Sequence, residues 1–200
     1  MQVENTDYRQ EVLDITNPFD VKLVKKFLES LGFKYKVSEL DYTMILFNLN
    51  DEMIGTGSLK DNVLKFVAVS PKFRSTTAFA QIVTHLTETA LQKDKTAFVF
   101  TRPENAEKFE SIGYNHIASA PPTYTLLEFG FQRIQNYQKY LLERKKETKT
   151  DQIAAVVVNC NPFTKGHQYL IETAAKENEI LYVFVVETNK SVFDFKARWK

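Results

Sequence analysis

A short segment at residues 159–167 has the residue types and the placement of a phosphate-binding site. It reads Asn-Cys-Asn-Pro-Phe-Thr-Lys-Gly-His and lies between an apolar run at 153–158 and a stretch with helical periodicity. The first N–H groups of a helix have no intrahelical partner and carry a partial positive charge, so they attract phosphate. Gly166 lets the backbone approach a ligand closely, and Pro162 stiffens the turn.

Two side chains of this segment can act on a phosphate. His167 lies at the predicted helix start, where its ring can donate to a phosphoryl oxygen, and a donor fixed where negative charge develops is worth a few kcal/mol. The Thr164 hydroxyl can cap the helix or bind the same phosphates. A capped turn with a surface histidine is the competing interpretation, and the strand–loop–helix setting disfavours it. The tripeptide Asn-Pro-Phe also occurs at 17–19 without a following glycine–histidine pair, so the tripeptide alone is not the signal.

The elements around the motif predict a βαβ unit. Residues 153–158 and 180–186 are apolar runs of strand length, and 167–177 has the pattern of a helix. Such a unit is the beginning of an open parallel sheet. Val192, Phe195 and Trp199 begin a further amphipathic turn. Since two strands leave most of such a sheet uncovered, we expect this sequence to be part of a longer protein.

Residues 1–130 predict a separate mixed α/β domain. A helix begins after Asn17 and ends at Gly32, where glycine suits a C-terminal cap. The remaining patterns predict strands at 43–48, 53–59, 63–69, 97–100 and 124–129, and helices at 76–92 and 103–109. A helix from Phe131 leads into the mixed charges of 143–150, which are typical of a solvated linker. The predicted organisation is therefore a domain at 1–130, a linker helix at 131–150 and a second, incomplete domain at 151–200.

Composition limits the class of protein and the cofactors. The 26 basic and 25 acidic residues give a net charge of +1, so nothing requires a nucleic-acid or membrane partner. No apolar run approaches the length of a membrane span, and the single cysteine fits the cytoplasm. His85 and His116 have no cysteine or carboxylate at ligand spacing, so we predict no protein-held metal and treat both histidines as structural.

The motif resembles the HxGH signature of the nucleotidyltransferase superfamily. Asn161-Pro162 stand in the place of its Asp-Pro, Thr164 in the place of its first histidine, and Gly166-His167 are its closing pair. The longer pattern Asn-x-Asn-Pro-Phe-Thr-x-Gly-His-x-Tyr-Leu-Ile is similar to the citrate lyase ligase family. That family joins a GNAT-type acetyltransferase-like domain to a nucleotidyltransferase-like domain, in the order predicted above. The resemblance implies an α/β fold class, with a GNAT-like mixed α/β domain followed by the start of a Rossmann-like nucleotidyltransferase domain.

The resemblance also implies a reaction, a cofactor and a partner. Acetate would attack the α-phosphate of ATP, which arrives with Mg²⁺, giving acetyl-AMP and pyrophosphate. The acetyl group would then pass to the thiol of the prosthetic group on the acyl carrier subunit of citrate lyase. His167 and Thr164 would act on the phosphates. Asn161, Pro162, Phe163 and Gly166 would line the ATP site, together with Arg198, which resembles the arginine of the family's Phe-Pro-x-x-Asp-Arg stretch.

The first domain departs from the GNAT pattern at its cofactor loop. Thr77 and Phe79 occupy positions in 74–79 where that family has glycine and a small residue, which argues against acetyl-CoA binding and against a working acetyltransferase. We therefore expect residues 1–130 to be a scaffold or a carrier-docking domain. Two further alternatives stay open: another nucleotidyl transfer, such as adenylylation of a pantetheine phosphate, and a non-catalytic module that binds the carrier protein.

Overall fold

The chain forms two compact units in a computed structural model that describes residues 8–14, 16–131, 133–187 and 192–198. One unit is Met1–Glu143 and the other is Arg144–Lys200. The division falls inside the segment 131–150 that the charge pattern marks as a linker.

The first unit is built on a seven-stranded sheet with the order β1-β2-β3-β4-β5-β7-β6. Neighbouring strands are antiparallel except β4 and β5, which are parallel. The strands are β1 (Arg9–Val12), β2 (Tyr42–Phe47), β3 (Met53–Lys60), β4 (Val63–Val69), β5 (Thr96–Thr101), β6 (Asn115–Ala120) and β7 (Tyr124–Gly130).

Four α-helices accompany this sheet: α1 (Pro18–Ser30), α2 (Ala78–Leu91), α3 (Ala106–Glu110) and α4 (Ile134–Leu142). Single turns of 3₁₀-helix occur at Val37–Glu39, Pro71–Phe73 and Pro103–Asn105. The side chain of Asn17 accepts a hydrogen bond from the N–H of Phe19, and Pro18 is the first residue of α1. At α4, the buried carboxylate of Glu128 accepts from the N–H of Ile134 through both oxygens, at 2.9 and 3.1 Å. Both helix starts thus have an acceptor for a free backbone N–H group.

Two hydrophobic clusters lie on the two faces of this sheet. The side chains of β2 alternate between them, since Met44 and Leu46 pack with α2 whereas Ile45 and Phe47 pack with α1. The clusters include Ile82, Val83 and Leu86 of α2 and Val24 and Leu28 of α1, all fully buried. This layering of helices on a central sheet agrees with the predicted mixed α/β domain.

The second unit contains the predicted βαβ arrangement. Strands β8 (Ile153–Val158) and β9 (Ile180–Val185) pair in parallel, and α5 (Lys165–Glu177) connects them. A short helix, α6 (Phe195–Arg198), falls within the predicted amphipathic turn that begins at Val192, and Trp199 of that turn lies outside the described residues. Helix α5 begins two residues before the predicted start at His167, because Thr164 is its N-cap.

Two strands were not predicted from the sequence. Every residue of β1 is exposed, and in β6 four of the six residues are exposed and three are polar. Both lie at the edges of the sheet, where one side of the strand meets solvent, so they lack the apolar alternation by which the other strands are recognised. Among the described residues, no helix has both the length and the apolar content to cross a membrane.

Candidate phosphate-binding site

The candidate site is the loop of residues 159–164, which connects the carboxyl end of β8 to the start of α5. In an open parallel sheet this edge is where ligands bind. Cys160 is buried and has a φ of +51°, and Pro162 follows a cis peptide bond from Asn161. The loop ends at Thr164, which is the N-cap residue of α5.

Thr164 and His167 form a reciprocal capping box at the start of α5. The backbone N–H of Thr164 donates to Nδ1 of His167 at 3.1 Å. The Thr164 hydroxyl also lies 2.8 Å from the same ring nitrogen. A backbone N–H can only donate, so Nδ1 is an acceptor and carries no proton.

This hydrogen bond determines the tautomer of His167. In a neutral imidazole one ring nitrogen is a donor and the other an acceptor, so Nε2 carries the proton. His167 is half-buried, whereas Thr164 and Gly166 beside it are exposed. The ring therefore offers an N–H donor at the mouth of the helix, as the phosphate-site interpretation requires.

Gly166 leaves open space at the same point. Outside the adjoining residues and the helix's own backbone, the described part of the chain offers a methyl group built there one neighbour within 4 Å, the Oγ1 atom of Thr164 at 3.7 Å, which is an ordinary contact. The fold does not need glycine here, since the position has neither a steric conflict nor a φ that disfavours other residues. A different reason for glycine at this position is that a ligand can approach its backbone closely.

Phe163 supports the imidazole from one side. Its ring is stacked on that of His167, with the centroids 5.9 Å apart and the planes 27° from parallel. The side chain is 56% exposed, so it contributes little to a core, and its ring contact is with His167. Together, Phe163 and the capping box hold the imidazole in one orientation.

The structure uses Asn161 and Arg198 to connect the loop to the segment 192–198. The Oδ1 atom of Asn161 accepts from the N–H of Phe193 at 2.9 Å. The Arg198 guanidinium donates to Asn159, a residue that the sequence analysis did not single out. Asn159 and Arg198 are 39 positions apart in the chain, so their contact could not be predicted from residue spacing. Seven predicted site residues thus lie in one unit, six in the loop and the first turn of α5 and Arg198 beside the loop.

The cofactor loop of the first unit differs from the expectation in one respect. Phe79 does not project into the loop; its ring packs edge-on against Phe109, 5.1 Å between centroids, beside the core. Phe79 therefore gives no steric reason against acetyl-CoA binding. Thr77 remains such a reason, and the first N–H of α2, that of Ala78, already donates to Oγ1 of Thr76 at 3.3 Å.

The other two histidines each have a hydrogen-bond partner. Nε2 of His85 lies 2.6 Å from the hydroxyl of Tyr42, and Nε2 of His116 lies 2.8 Å from the hydroxyl of Ser119. In the part of the chain that the structure describes, no group of three or more histidine, cysteine and carboxylate side chains is arranged to hold a metal ion.

Comparison with solved structures shows the fold class of the first unit. A Klebsiella pneumoniae protein provisionally assigned as an acyl-CoA N-acyltransferase is 17% identical, with a TM-score of 0.50 over 63% of this chain and 99% of its own. Escherichia coli ElaA is 13% identical, with a TM-score of 0.51 over 61% of this chain and 99% of its own. The predicted GNAT-like α/β fold is therefore confirmed.

Comparison with curated proteins shows the family. Residues 153–200 match the model of the citrate lyase ligase C-terminal domain. The [citrate [pro-3S]-lyase] ligase of Haemophilus influenzae is 32% identical over 181 residues, which are 90% of this chain and 53% of that protein. The enzyme of the same name from Escherichia coli is 30% identical over 179 residues, 87% of this chain and 50% of its own. The chain belongs to the citrate lyase ligase family, as the motif predicted, and it spans about half the length of the curated relatives it matches.

Proposed function

We propose that residues 151–200 are the start of a nucleotidyltransferase-type domain that binds the phosphates of ATP, in a cytoplasmic ligase that activates acetate for citrate lyase. The observation that carries the proposal is the fixed tautomer of His167. A loop after a parallel strand holds an imidazole N–H at a helix start, beside open space at Gly166. The same segment lies within the match to the citrate lyase ligase domain.

The reaction proposed at this site is attack of acetate on the α-phosphate of ATP. An acetate oxygen forms a bond to the α-phosphorus, the bond from that phosphorus to the bridging oxygen breaks, and pyrophosphate leaves with the electron pair. Negative charge grows on the phosphoryl oxygens and on the leaving group during this step. Nε2–H of His167 and the first backbone N–H groups of α5 would stabilise that charge, because they are donors already fixed in place.

The other loop residues would shape the same pocket. Thr164 would hold His167 in its donor tautomer, and its hydroxyl would bind phosphate when a ligand displaces the contact to Nδ1. Gly166 would admit the phosphates, while Asn161, Pro162 and Phe163 form the wall of the turn. Mg²⁺ would arrive with ATP and neutralise phosphate charge.

The acceptor of the acetyl group would be the thiol on the acyl carrier subunit of citrate lyase. The thiol sulfur attacks the carbonyl carbon of acetyl-AMP, a thioester forms, AMP leaves and the thiol proton goes to solvent. The names of the relatives give citrate lyase as the target of those ligases, which supports an acceptor on that enzyme. We assign the first unit to scaffolding or to docking of the carrier protein.

The test is a comparison of nucleophiles. A full-length version of the protein is titrated with Mg-ATP in a calorimeter, and pyrophosphate release is then followed with acetate or with a pantetheine phosphate as the second substrate. Saturable ATP binding and release that depends on acetate support the proposal. Release with the pantetheine phosphate alone would indicate another adenylyl transfer. Capture of the carrier protein without any nucleotide binding would indicate a non-catalytic module.

A further inference from the structure

Arg198 connects the carboxyl ends of both strands of the second unit. Its Nη1 atom donates to the backbone carbonyl of Asn159 at 2.6 Å, to Oδ1 of Asn159 at 2.7 Å and to the carbonyl of Val186 at 2.9 Å. Asn159 directly follows β8 and Val186 directly follows β9. One side chain therefore bridges the two strands at the edge where the candidate site begins.

The same guanidinium also fixes the segment from which it comes. Nε of Arg198 donates to the carbonyl of Phe193 at 3.2 Å, and the N–H of Phe193 donates to Oδ1 of Asn161 at 2.9 Å. Residue 193 is thus held through both its carbonyl and its N–H. The loop is consequently attached at Asn159 and again at Asn161, on either side of the buried Cys160.

These bonds already occupy two of the three guanidinium nitrogens. The hydrogens of Nη1 have three oxygen acceptors and that of Nε has one, while Nη2 is buried without a partner among the described residues. Hydrogen bonds from a charged donor are shorter and stronger than those between neutral groups. Only the planar fork of arginine reaches acceptors in several directions at once, whereas lysine is a single point charge.

We infer that Arg198 is a positioning residue: it holds the loop 159–164 against the segment 192–198 and so sets where Thr164 and His167 meet a phosphate. The inference rests on the proposed function only for the identity of the ligand, because the positioning of the loop is a property of the free protein. Arg198 acts through Asn159 and Asn161, not through a bond from Nη1 or Nε to the nucleotide.

The test compares Arg198→Gln with Lys196→Gln, a matched control that removes the same charge from an exposed neighbour on the same short helix. Hydrogen exchange of the Phe193 amide and the ¹⁵N shifts of the His167 ring are measured without nucleotide, and ATP affinity is measured by calorimetry. In Arg198→Gln we expect at least tenfold faster exchange at Phe193, mixed tautomers at His167 and about tenfold weaker ATP binding. Lys196→Gln should leave the Phe193 exchange and the His167 tautomer at their original values.

Two further variants keep the result interpretable. Arg198→Lys restores the charge without the fork and should recover less than half of the Phe193 protection. Asn159→Ala removes the Oδ1 acceptor of Arg198 at an exposed position. It should change the Phe193 exchange, the His167 ring shifts and the ATP affinity in the same direction as Arg198→Gln, by a smaller amount.

The outcomes separate this inference from the proposed function. Weaker ATP binding by Arg198→Gln, with unchanged exchange at Phe193 and an unchanged His167 tautomer, would overturn the positioning role in favour of direct contact. Unchanged values in all three measurements would also overturn it. Loss of protection at Phe193 in a protein that never binds ATP would support the positioning role and count against the proposed function.

Discussion

The Nδ1 atom of His167 accepts a hydrogen bond from the backbone N–H of Thr164, with 3.1 Å between the two nitrogen atoms. Because of this contact Nδ1 is an acceptor, so the proton of the neutral ring is on Nε2. The contact also separates the two roles of the side chain, because capping uses Nδ1 and the proposed catalysis uses Nε2. Substitutions can remove one role and leave the other.

Replacement of His167 by asparagine or by alanine separates these roles. Asparagine places its Oδ1 where Nδ1 was, so His167→Asn should unfold with a free energy within about 0.5 kcal/mol of the original chain. It has no donor at the position of Nε2, so acetate-dependent pyrophosphate release should fall about 100- to 1,000-fold. Alanine has neither the acceptor nor the donor, so His167→Ala should lose about 1 kcal/mol of stability through the cap. Urea denaturation and pyrophosphate release measure the two effects. Equal activity of the asparagine variant and the original chain would exclude Nε2 from the reaction.

Gly166 provides a test that distinguishes a phosphate site from a capped turn. The nearest atom to a new methyl group is 3.7 Å away, so Gly166→Ala should fold normally and gain up to about 1 kcal/mol from the helix preference of alanine. If phosphate approaches the backbone at this point, the methyl group should weaken ATP binding at least tenfold. Denaturation and calorimetry on the same sample give both values. Full ATP affinity in this variant would mean that the ligand does not approach residue 166.

Gly57 in β3 should respond in the opposite way to the same substitution. A methyl group there would lie 2.6 Å from Cδ1 of Leu86 and 2.7 Å from Cγ2 of Ile82, both in fully buried side chains of α2. Gly57→Ala should therefore cost about 1–3 kcal/mol through overpacking. Denaturation of Gly57→Ala beside Gly166→Ala measures this difference. A loss below 0.5 kcal/mol would show that α2 can move away from the sheet.

Tyr114 should make the stability of the first unit depend on alkaline pH. Burial raises the pKa of its hydroxyl to about 12. The Thr87 hydroxyl donates a hydrogen bond to the carbonyl of Val83 at 2.7 Å. Its oxygen, 2.7 Å from the Tyr114 hydroxyl, therefore accepts the hydrogen bond that Tyr114 donates. In the unfolded chain the pKa is about 10, so the unfolded state ionises first and stability falls as pH rises from about 10 towards 12.

The size of this effect can be measured against a phenylalanine variant. For a shift from 10 to 12, the loss attributable to Tyr114 is about 1.4 kcal/mol between pH 9 and pH 11. Tyr114→Phe removes the ionisable group. Between pH 9 and pH 11 the free energy of unfolding of this variant should therefore fall by about 1.4 kcal/mol less than that of the original chain. Parallel pH dependences for the two proteins would show that Tyr114 ionises equally in both states.

The strongly patterned elements of this fold were predictable from the sequence. The apolar runs that became β4 and β8 and the periodic segment that became α2 were located to within one or two residues, because each buries a regular set of side chains. The edge strands β1 and β6 bury little and left no such pattern.

Prediction of the candidate site was limited in a different way. The motif indicated Thr164, Gly166 and His167 because they are local to one turn. The roles of Asn159 and Arg198 depend on contacts between residues 39 positions apart, and Phe79 turns towards Phe109 instead of the loop. Packing determines where a side chain points and which distant residues form pairs. Neither can be predicted from the spacing of residues along the chain.

Cys160 makes the movement of the loop measurable. It is the single cysteine of the chain, is 5% exposed and lies between the two attachment points at Asn159 and Asn161. A thiol reagent can reach its sulfur only when the loop detaches, so the rate of labelling reports how often that opening occurs. The chain thus contains its own kinetic probe, at the one position where release of the loop from its neighbours would first become visible.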